Sequence, residues 1–273
     1  MLSPQNISIL LITAILSVVS INVGAQTSYI NAEPFGGEKE FQRLLKQEML
    51  YPKSALEKQE QGEVALRFIV RENGSMDEFT VEKSISKELD DEAIRLFRMS
   101  LWKPATFAGK PRDEFVDLQI KFELKTYKKH SKKRGYTDIV IDQFLISDST
   151  KIYVETELTQ APLPVISTKG LALNDFVSKN LRYPAAAKSQ NIFGESIVGF
   201  VVEPTGRLTN IHTIKELGGG CNEETKRLLL QLDWSPGMLN GEPVRTKKQF
   251  SVRYQLPNSS DYRYIPVDNN AQK

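Results

Sequence analysis

The sequence predicts an α+β protein of two like modules in tandem, each a three-stranded antiparallel sheet (order 2-1-3) with helices packed on one face. The first observation behind this is internal repetition. A shift of 132 residues lays Tyr51-Pro52 on Tyr183-Pro184, Gly62 on Gly194, Gly74 on Gly206, Trp102 on Trp234, Pro104 on Pro236, Gly109 on Gly241 and Pro111 on Pro243. The pairs Ala55/Ala187, Glu63/Glu195, Phe68/Phe200, Val70/Val202, Glu92/Glu224, Arg95/Arg227, Leu96/Leu228 and Leu124/Leu256 keep the same register. The unit is longer than a solenoid repeat of about 20–50 residues and long enough to bury its own core. The second observation is strict alternation of apolar and polar residues in short runs, which marks strands. The third is apolar residues at helical spacing next to Pro and Gly punctuation.

In the first module, expected over residues 33–126, Glu38 to Leu50 places Phe41, Leu44, Leu45 and Met49 on one helical face. Tyr51-Pro52 stops that helix, because the proline forces Tyr51 out of the α region, and Pro52 opens a second short helix to Gln59. Gly62 leads a strand with Val64, Leu66, Phe68 and Val70 on one side, and Asn73-Gly74 supplies a hairpin turn. A second strand runs from Asp77 to Ile85. Asp90 or Asp91 then caps a helix whose inner side carries Ala93, Ile94, Leu96 and Phe97. Trp102-Lys-Pro104 ends the helix, and Gly109-Lys-Pro111 turns into a last strand with Val116, Leu118, Ile120, Phe122 and Leu124 facing inward.

The second module, expected over 161–258, repeats this order. Leu173, Phe176, Val177 and Leu181 precede Tyr183-Pro184; Val198, Phe200 and Val202 form strand one; Phe250, Val252, Tyr254 and Leu256 form strand three. With strand one up, strand two down and a helix returning the chain, strand three lies beside strand one. Its outer N–H and C=O groups are then left open.

Three segments lie outside the modules. Residues 1–25 read as a signal peptide: an apolar run from Ile7 to Val19, then Val23-Gly24-Ala25 as a cleavage site before Gln26. The expected location is the periplasm, and the alternative is an inner-membrane protein that keeps this segment as a single anchor. Residues 127–160 are expected to be a linker that opens on a basic stretch, Lys125 to Arg134, with short strands at Ile139 to Ile146 and Lys151 to Leu158. Residues 259–273 are a polar, loose tail. Because each module holds every element, each is expected to fold alone.

Composition excludes several classes of function. Lys and Arg number 36 against 34 Asp and Glu, a net charge of +2, so nucleic acid is not an expected partner. The basic stretch has no interleaved aromatic residues to stack on bases. A single cysteine, Cys221, allows no intramolecular disulfide, and Cys and His together assemble no zinc set. Leu217-Gly-Gly-Gly-Cys221 has the look of a lipoprotein box but sits deep in the second module, where a helix-entry loop with a semi-buried thiol is the better reading. Of the two histidines, His130 lies in the linker and His212 corresponds to Thr80, so the copies share no histidine chemistry. The carboxylates at Asp90-Asp91-Glu92 and Glu223-Glu224 stand at helix starts, where capping and the helix dipole account for them. No cofactor is expected, and an exported enzyme is a remote alternative.

Taken together, an amphipathic helix, Tyr-Pro, a Gly-led strand, a Gly hairpin, Trp-x-Pro, Gly-x-Pro and a final alternating strand resemble the C-terminal domain of TonB, the energy transducer of Gram-negative outer-membrane uptake. Pro34-Phe-Gly-Gly37 resembles the lead-in of the Bacteroidetes versions. The resemblance implies a non-catalytic domain that binds extended TonB-box segments from the plugs of TonB-dependent outer-membrane transporters by strand addition. It assigns partner contact to Tyr51, Pro52, Tyr183 and Pro184, with peptidoglycan as another candidate surface. It places the pairing edge at Leu118, Gln119, Ile120 and Lys121, and at Phe250, Ser251, Val252 and Arg253. An anchored transducer would also engage ExbB and ExbD, and a homodimer is left open. The chain departs from TonB proper in having no histidine before His130 and only a short stretch from Gln26 to Gly37 where a long proline-rich spacer stands.

Overall fold

The computed structural model describes residues 28–134, 151–166, 172–255 and 263–264. The expected signal peptide, the expected strand at Ile139 to Ile146 and most of the tail lie outside the described residues. No described helix is long and apolar enough to cross a membrane.

The first module runs β1 (Tyr29–Ile30), β2 (Glu33–Pro34), α1 (Gly37–Glu48), α2 (Lys53–Glu57), β3 (Gly62–Val70), β4 (Met76–Lys83), α3 (Lys87–Met99), β5 (Trp102–Lys103), β6 (Ala105–Phe107), β7 (Lys110–Arg112), β8 (Glu114–Phe122) and α4 (Leu124–Arg134). The second runs β9 (Pro164–Val165), α5 (Leu173–Asn180), α6 (Ala185–Ser189), β10 (Gly194–Val202), β11 (Leu208–Lys215), α7 (Cys221–Leu229), β12 (Asp233–Trp234), β13 (Gly237–Leu239), β14 (Glu242–Val244) and β15 (Thr246–Tyr254), followed by β16 (Arg263–Tyr264). The sheets have the orders β4-β3-β8 and β11-β10-β15-β16, so the predicted 2-1-3 arrangement is present in both and the second carries a fourth strand.

The repeated residues meet one another. Phe68 and Trp102 pack edge to face at 5.3 Å in the first core, as Phe200 and Trp234 do at 5.1 Å in the second. A Cβ on Gly74 would stand 2.8 Å from the Trp102 carbonyl oxygen, and one on Gly206 only 2.3 Å from that of Trp234. Glycine is therefore required at both turns for space as well as for its positive φ. Gly109 and Gly241 turn the β6–β7 and β13–β14 hairpins.

Several expectations are corrected. The helix after the second strand begins at Lys87, with Ser86 at its N-cap. Asp90 instead reaches back from within it, accepting from Ser84 Oγ at 2.5 Å and from the Ile85 N–H at 3.4 Å. Its counterpart Asn222 accepts from the Leu217 N–H at 3.0 Å in the same way. Leu124 leaves the strand and starts α4, so the basic stretch is a helix that buries Tyr127 against Tyr51, their rings 5.2 Å apart. Lys151 to Leu158 is not a strand; it holds a 3-10 turn at Glu155–Glu157 and a parallel bridge from Tyr153 to Thr246.

The modules do not sit apart on a polar tether. The β11 edge of the second sheet is sealed by α1: Glu40 accepts from the Ile211 N–H at 3.0 Å, and Arg43 donates to the Leu208 carbonyl at 2.8 Å. Phe35 packs on His212 with ring centroids 4.4 Å apart, and Gly36 lies where a Cβ would meet the Ile211 carbonyl oxygen at 2.2 Å. The C-terminus of α3 is capped from the second module. Arg245 donates to the Met99 carbonyl at 2.7 Å, and Asn210 both donates to it at 3.0 Å and accepts from the Leu101 N–H at 2.7 Å. Arg245 is paired with Glu203 at 2.9 Å, both buried, and Arg207 with Glu48 at 2.7 Å.

Candidate peptide-binding edge

Strand β8 pairs with β3 in unbroken antiparallel register from Gly62↔Phe122 to Val70↔Glu114. Alternation fixes its faces: Ile120 and Phe122 are buried and Val116 and Leu118 half-buried on the helix side, while Phe115, Asp117, Gln119 and Lys121 are exposed on the other. Among the described residues no strand pairs with its outer edge. Strand β4, at the opposite edge, is a poorer template. Its register against β3 slips twice and Glu78 sits at φ 55°, and bulges of this kind turn an edge away from pairing.

A groove of about 200 Å³ lies beside the β8 edge, between α1 and α4. Leu45, Met49, Ile120 and Tyr127 give it apolar walls, and Lys46, Lys121 and His130 stand at its rim. It is small beside ligand pockets of about 300–1,000 Å³ and suits a side chain better than a cofactor. The α1 and α4 residues of this groove were not foreseen from sequence; the available signal was Tyr127, a lone aromatic residue inside a basic run.

The other predicted edge differs. Phe250, Ser251 and Val252 are fully buried and Arg253 is exposed. Val252 pairs with Tyr264 and Arg253 with Arg263, so β16 already lies on β15. Of the expected contact residues, Leu118, Gln119, Ile120 and Lys121 thus lie on an edge that no described strand pairs with, and Phe250 to Arg253 on a strand that pairs with β16.

The Tyr-Pro residues are used by the fold. Tyr51 is buried, its ring 5.9 Å from Phe122, and its hydroxyl donates to the Glu60 carbonyl. Burial raises that hydroxyl to about 12. Tyr183 is half-buried, lies 5.5 Å from Tyr254, and donates to the Ile192 carbonyl. Pro52 and Pro184 are half-buried and stand immediately before α2 and α6.

The paired acids and arginines clamp the same junction. Glu92 accepts from the Leu50 N–H at 2.7 Å while Arg95 donates to the Glu48 carbonyl at 2.6 Å. Glu224 accepts from the Arg182 N–H at 2.6 Å while Arg227 donates to the Asn180 carbonyl at 2.6 Å. Burial drives Glu92 above the usual carboxylate range despite Arg95. At the less buried Glu224 burial is outweighed, and hydrogen bonds from Arg227 and the Arg182 N–H hold it below that range. The sequence reading assigns these carboxylates to capping and the dipole of their own helix; Glu92 and Glu224 instead hold the chain at the end of an earlier helix.

Neither remaining candidate for chemistry is poised. Cys221 is buried, and desolvation raises its thiol to about 11, far from the thiolate that reactivity needs. His212 is buried under Phe35, its Nδ1–H donating to the Asn210 carbonyl at 2.8 Å. Burial lowers its pKa, with Lys247, Lys103 and Lys226 acting in the same direction.

The family model for the Gram-negative bacterial TonB protein C-terminal domain matches residues 47–124 and again 179–256, one match per module. A solution structure of the TonB C-terminal domain from Helicobacter pylori is similar over 32% of this chain and 78% of that one, at 19% identity and a TM-score of 0.25. No curated protein matches. The two matches cover more than half of the sequence and coincide with the repeat seen in the residues. The chain therefore belongs to the TonB C-terminal family, with two copies of that domain in tandem.

Proposed function

We propose that this protein is a non-catalytic component of TonB-dependent transport that takes extended plug segments of outer-membrane transporters as an added strand on β8. The observation that supports this best is the regular outer edge of β8, free of any strand among the described residues and bordered by an apolar groove. Main-chain hydrogen bonds along the edge supply affinity, and alternate side chains of the added segment supply specificity. One apolar side chain of that segment enters the groove between Leu45, Met49 and Tyr127. Exposed lysines at positions 46, 121, 125 and 128 favour acidic neighbours in the segment. The periplasm is the compartment in which such segments are reached, in keeping with the signal-like N-terminus of the sequence.

The test is capture of synthetic plug segments by the full chain and by Gln119→Pro and Ile120→Pro. Proline removes one N–H, and whichever residue points its N–H outward can lose it without breaking the β3–β8 ladder. One folded variant is expected to lose most binding. Equal binding by the parent and every folded variant rejects strand addition at β8.

A further inference from the structure

We propose that the exposed face of α4 is an electrostatic docking surface for an anionic lipid bilayer, and that this contact sets the first module against a membrane. The lipid contact stands apart from strand addition at β8, and either can fail without the other.

Lys125, Lys128, Lys129 and Lys132 recur at the i, i+3, i+4, i+7 spacing of one helical face, and all four are exposed. Tyr127 and Ser131, one turn apart, are buried. The helix is therefore fastened by one face and presents the other. The stripe runs about 10 Å along the axis at 1.5 Å per residue. From Leu124 to Arg134 the helix contains no carboxylate, and among the described residues the lysine ion pairs all lie elsewhere. Lys46 and Lys121, at the rim of the neighbouring groove, extend the cationic surface.

The fold does not require this stripe. At the equivalent positions after strand three of the second module stand Pro257, Ser260, Asp261 and Tyr264, so the same sheet is completed there without it. Nor is the stripe a sample of a basic protein, since the whole chain carries a net charge of only +2. Its field is felt at Glu123, just before the helix. A hydrogen bond from the Thr126 hydroxyl, with Lys121 and Lys125 acting in the same direction, holds that carboxyl below the usual range.

The chemistry of the surface selects the partner. Lysine is a hydrated point charge on a flexible stem, without the fork that fixes arginine to a single phosphate. Four lysines on a convex helix suit an extended array of phosphates better than one bound anion. Tyr127 is turned inward, which leaves no exposed phenyl or indole ring on α4 for bases to stack on. A planar anionic surface meets the whole stripe at once, and each lysine near it contributes roughly fivefold in partitioning. Without an exposed apolar anchor on this face the attachment is reversible and weakened by salt. Because α4 follows β8 directly, a bilayer that holds the helix keeps the β8 edge near the same surface.

The experiment uses the chain from Gln26, which keeps every described residue and removes an apolar run that would enter vesicles by itself. Flotation measures its partitioning onto vesicles of phosphatidylcholine alone and of phosphatidylcholine mixed with anionic phosphatidylglycerol. Binding to the anionic vesicles only, lost in about 1 M salt where screening acts within about 3 Å, is the expected result. Lys125→Gln/Lys128→Gln/Lys129→Gln/Lys132→Gln is expected to lose at least about a hundredfold, and Lys128→Gln/Lys132→Gln roughly twenty-fivefold. The second variant carries the test should circular dichroism show the first to be misfolded. Arginine at the same four positions should keep the binding. Lys83→Gln/Lys87→Gln/Lys179→Gln/Lys188→Gln removes as much charge from other exposed positions and should stay near the parent. Equal partitioning of the parent and a folded stripe variant, an equal loss in the control variant, equal binding to neutral vesicles, or no binding to vesicles overturns the proposal. Tighter, stripe-dependent capture of polyglutamate than of anionic vesicles also overturns it and gives α4 to an acidic protein partner instead.

Discussion

Ile120 and Val252 stand at the same place in the two modules, yet Val252 is paired with Tyr264 whereas Ile120 has no partner strand on its outer edge among the described residues. The same asymmetry recurs nearby. Arg71 and Asp113 form an exposed ion pair at 3.0 Å, and the equivalent positions hold Glu203 and Arg245, reversed in charge and buried at 2.9 Å against α3 of the first module. Duplication has kept the fold and divided the surfaces. Among the described residues, β8 of one copy has no strand on its outer edge, while the other copy contacts its neighbour through β11 and pairs with β16.

The buried Glu203–Arg245 pair predicts a large asymmetry between breaking and replacing it. Arg245→Met leaves the Glu203 carboxylate buried without its partner and the Met99 carbonyl without this donor, and is expected to cost about 3–5 kcal/mol. The double variant Glu203→Leu/Arg245→Met should recover much of that. Urea unfolding of the three proteins checks this, and equal losses in the single and double variants would contradict it.

The two indoles predict a difference within an apparent repeat. Trp102 Nε1–H donates to Ser100 Oγ at 2.8 Å, while Trp234 Nε1 is buried with no partner among the described residues. Each Trp→Ala change is expected to cost about 3–5 kcal/mol. Trp→Phe should be harsher at position 102 than at 234 by about 1 kcal/mol, because only there is a hydrogen bond lost. Thermal denaturation of the four variants decides the matter.

Gly206 and Gly109 share a positive φ, near +80° and +76°, but not their surroundings. Alanine at 206 brings a Cβ to 2.3 Å from the Trp234 carbonyl oxygen, and alanine at 109 meets nothing within 4 Å. Gly109→Ala should show only the conformational cost of about 1–2 kcal/mol, and Gly206→Ala should exceed it clearly. A melting series that ranks them the other way would refute the packing account of this turn.

His212 sets a pH dependence. Burial holds its folded pKa below the ordinary histidine value of about 6.5, so the native state keeps the neutral ring while the unfolded chain takes up a proton. Its contribution is fully present above pH 6.5 and is lost as pH falls through the lower folded value. The parent should lose more stability between pH 7.5 and 5.5 than His212→Gln. Identical pH profiles would show that burial beneath Phe35 does not suppress its charge.

The fold was legible in the sequence where a residue has one structural use. Gly74, Trp102, Tyr51-Pro52 and the alternation of β3 each declare a turn, a core ring, a helix stop or a strand. Helix α4 was not legible, because a lysine-rich run with a single buried tyrosine carries almost no apolar periodicity. The packing of the modules was hidden for a different reason. Glu40, Arg43, Asn210 and Arg245 are polar residues that satisfy each other's backbones across the joint, and in sequence such residues read as solvated surface. At the candidate site the β8 edge followed from connectivity, whereas the occupancy of β15 depended on two residues in a polar tail.

The most direct measurement of the central claim is residue-resolved amide exchange of the full chain with and without a saturating transporter plug peptide. Strand addition at β8 predicts new protection at alternate amides between Phe115 and Lys121, and little change along β4. Peptide binding that leaves every β8 amide exchanging as before, or that protects another surface instead, would contradict the account.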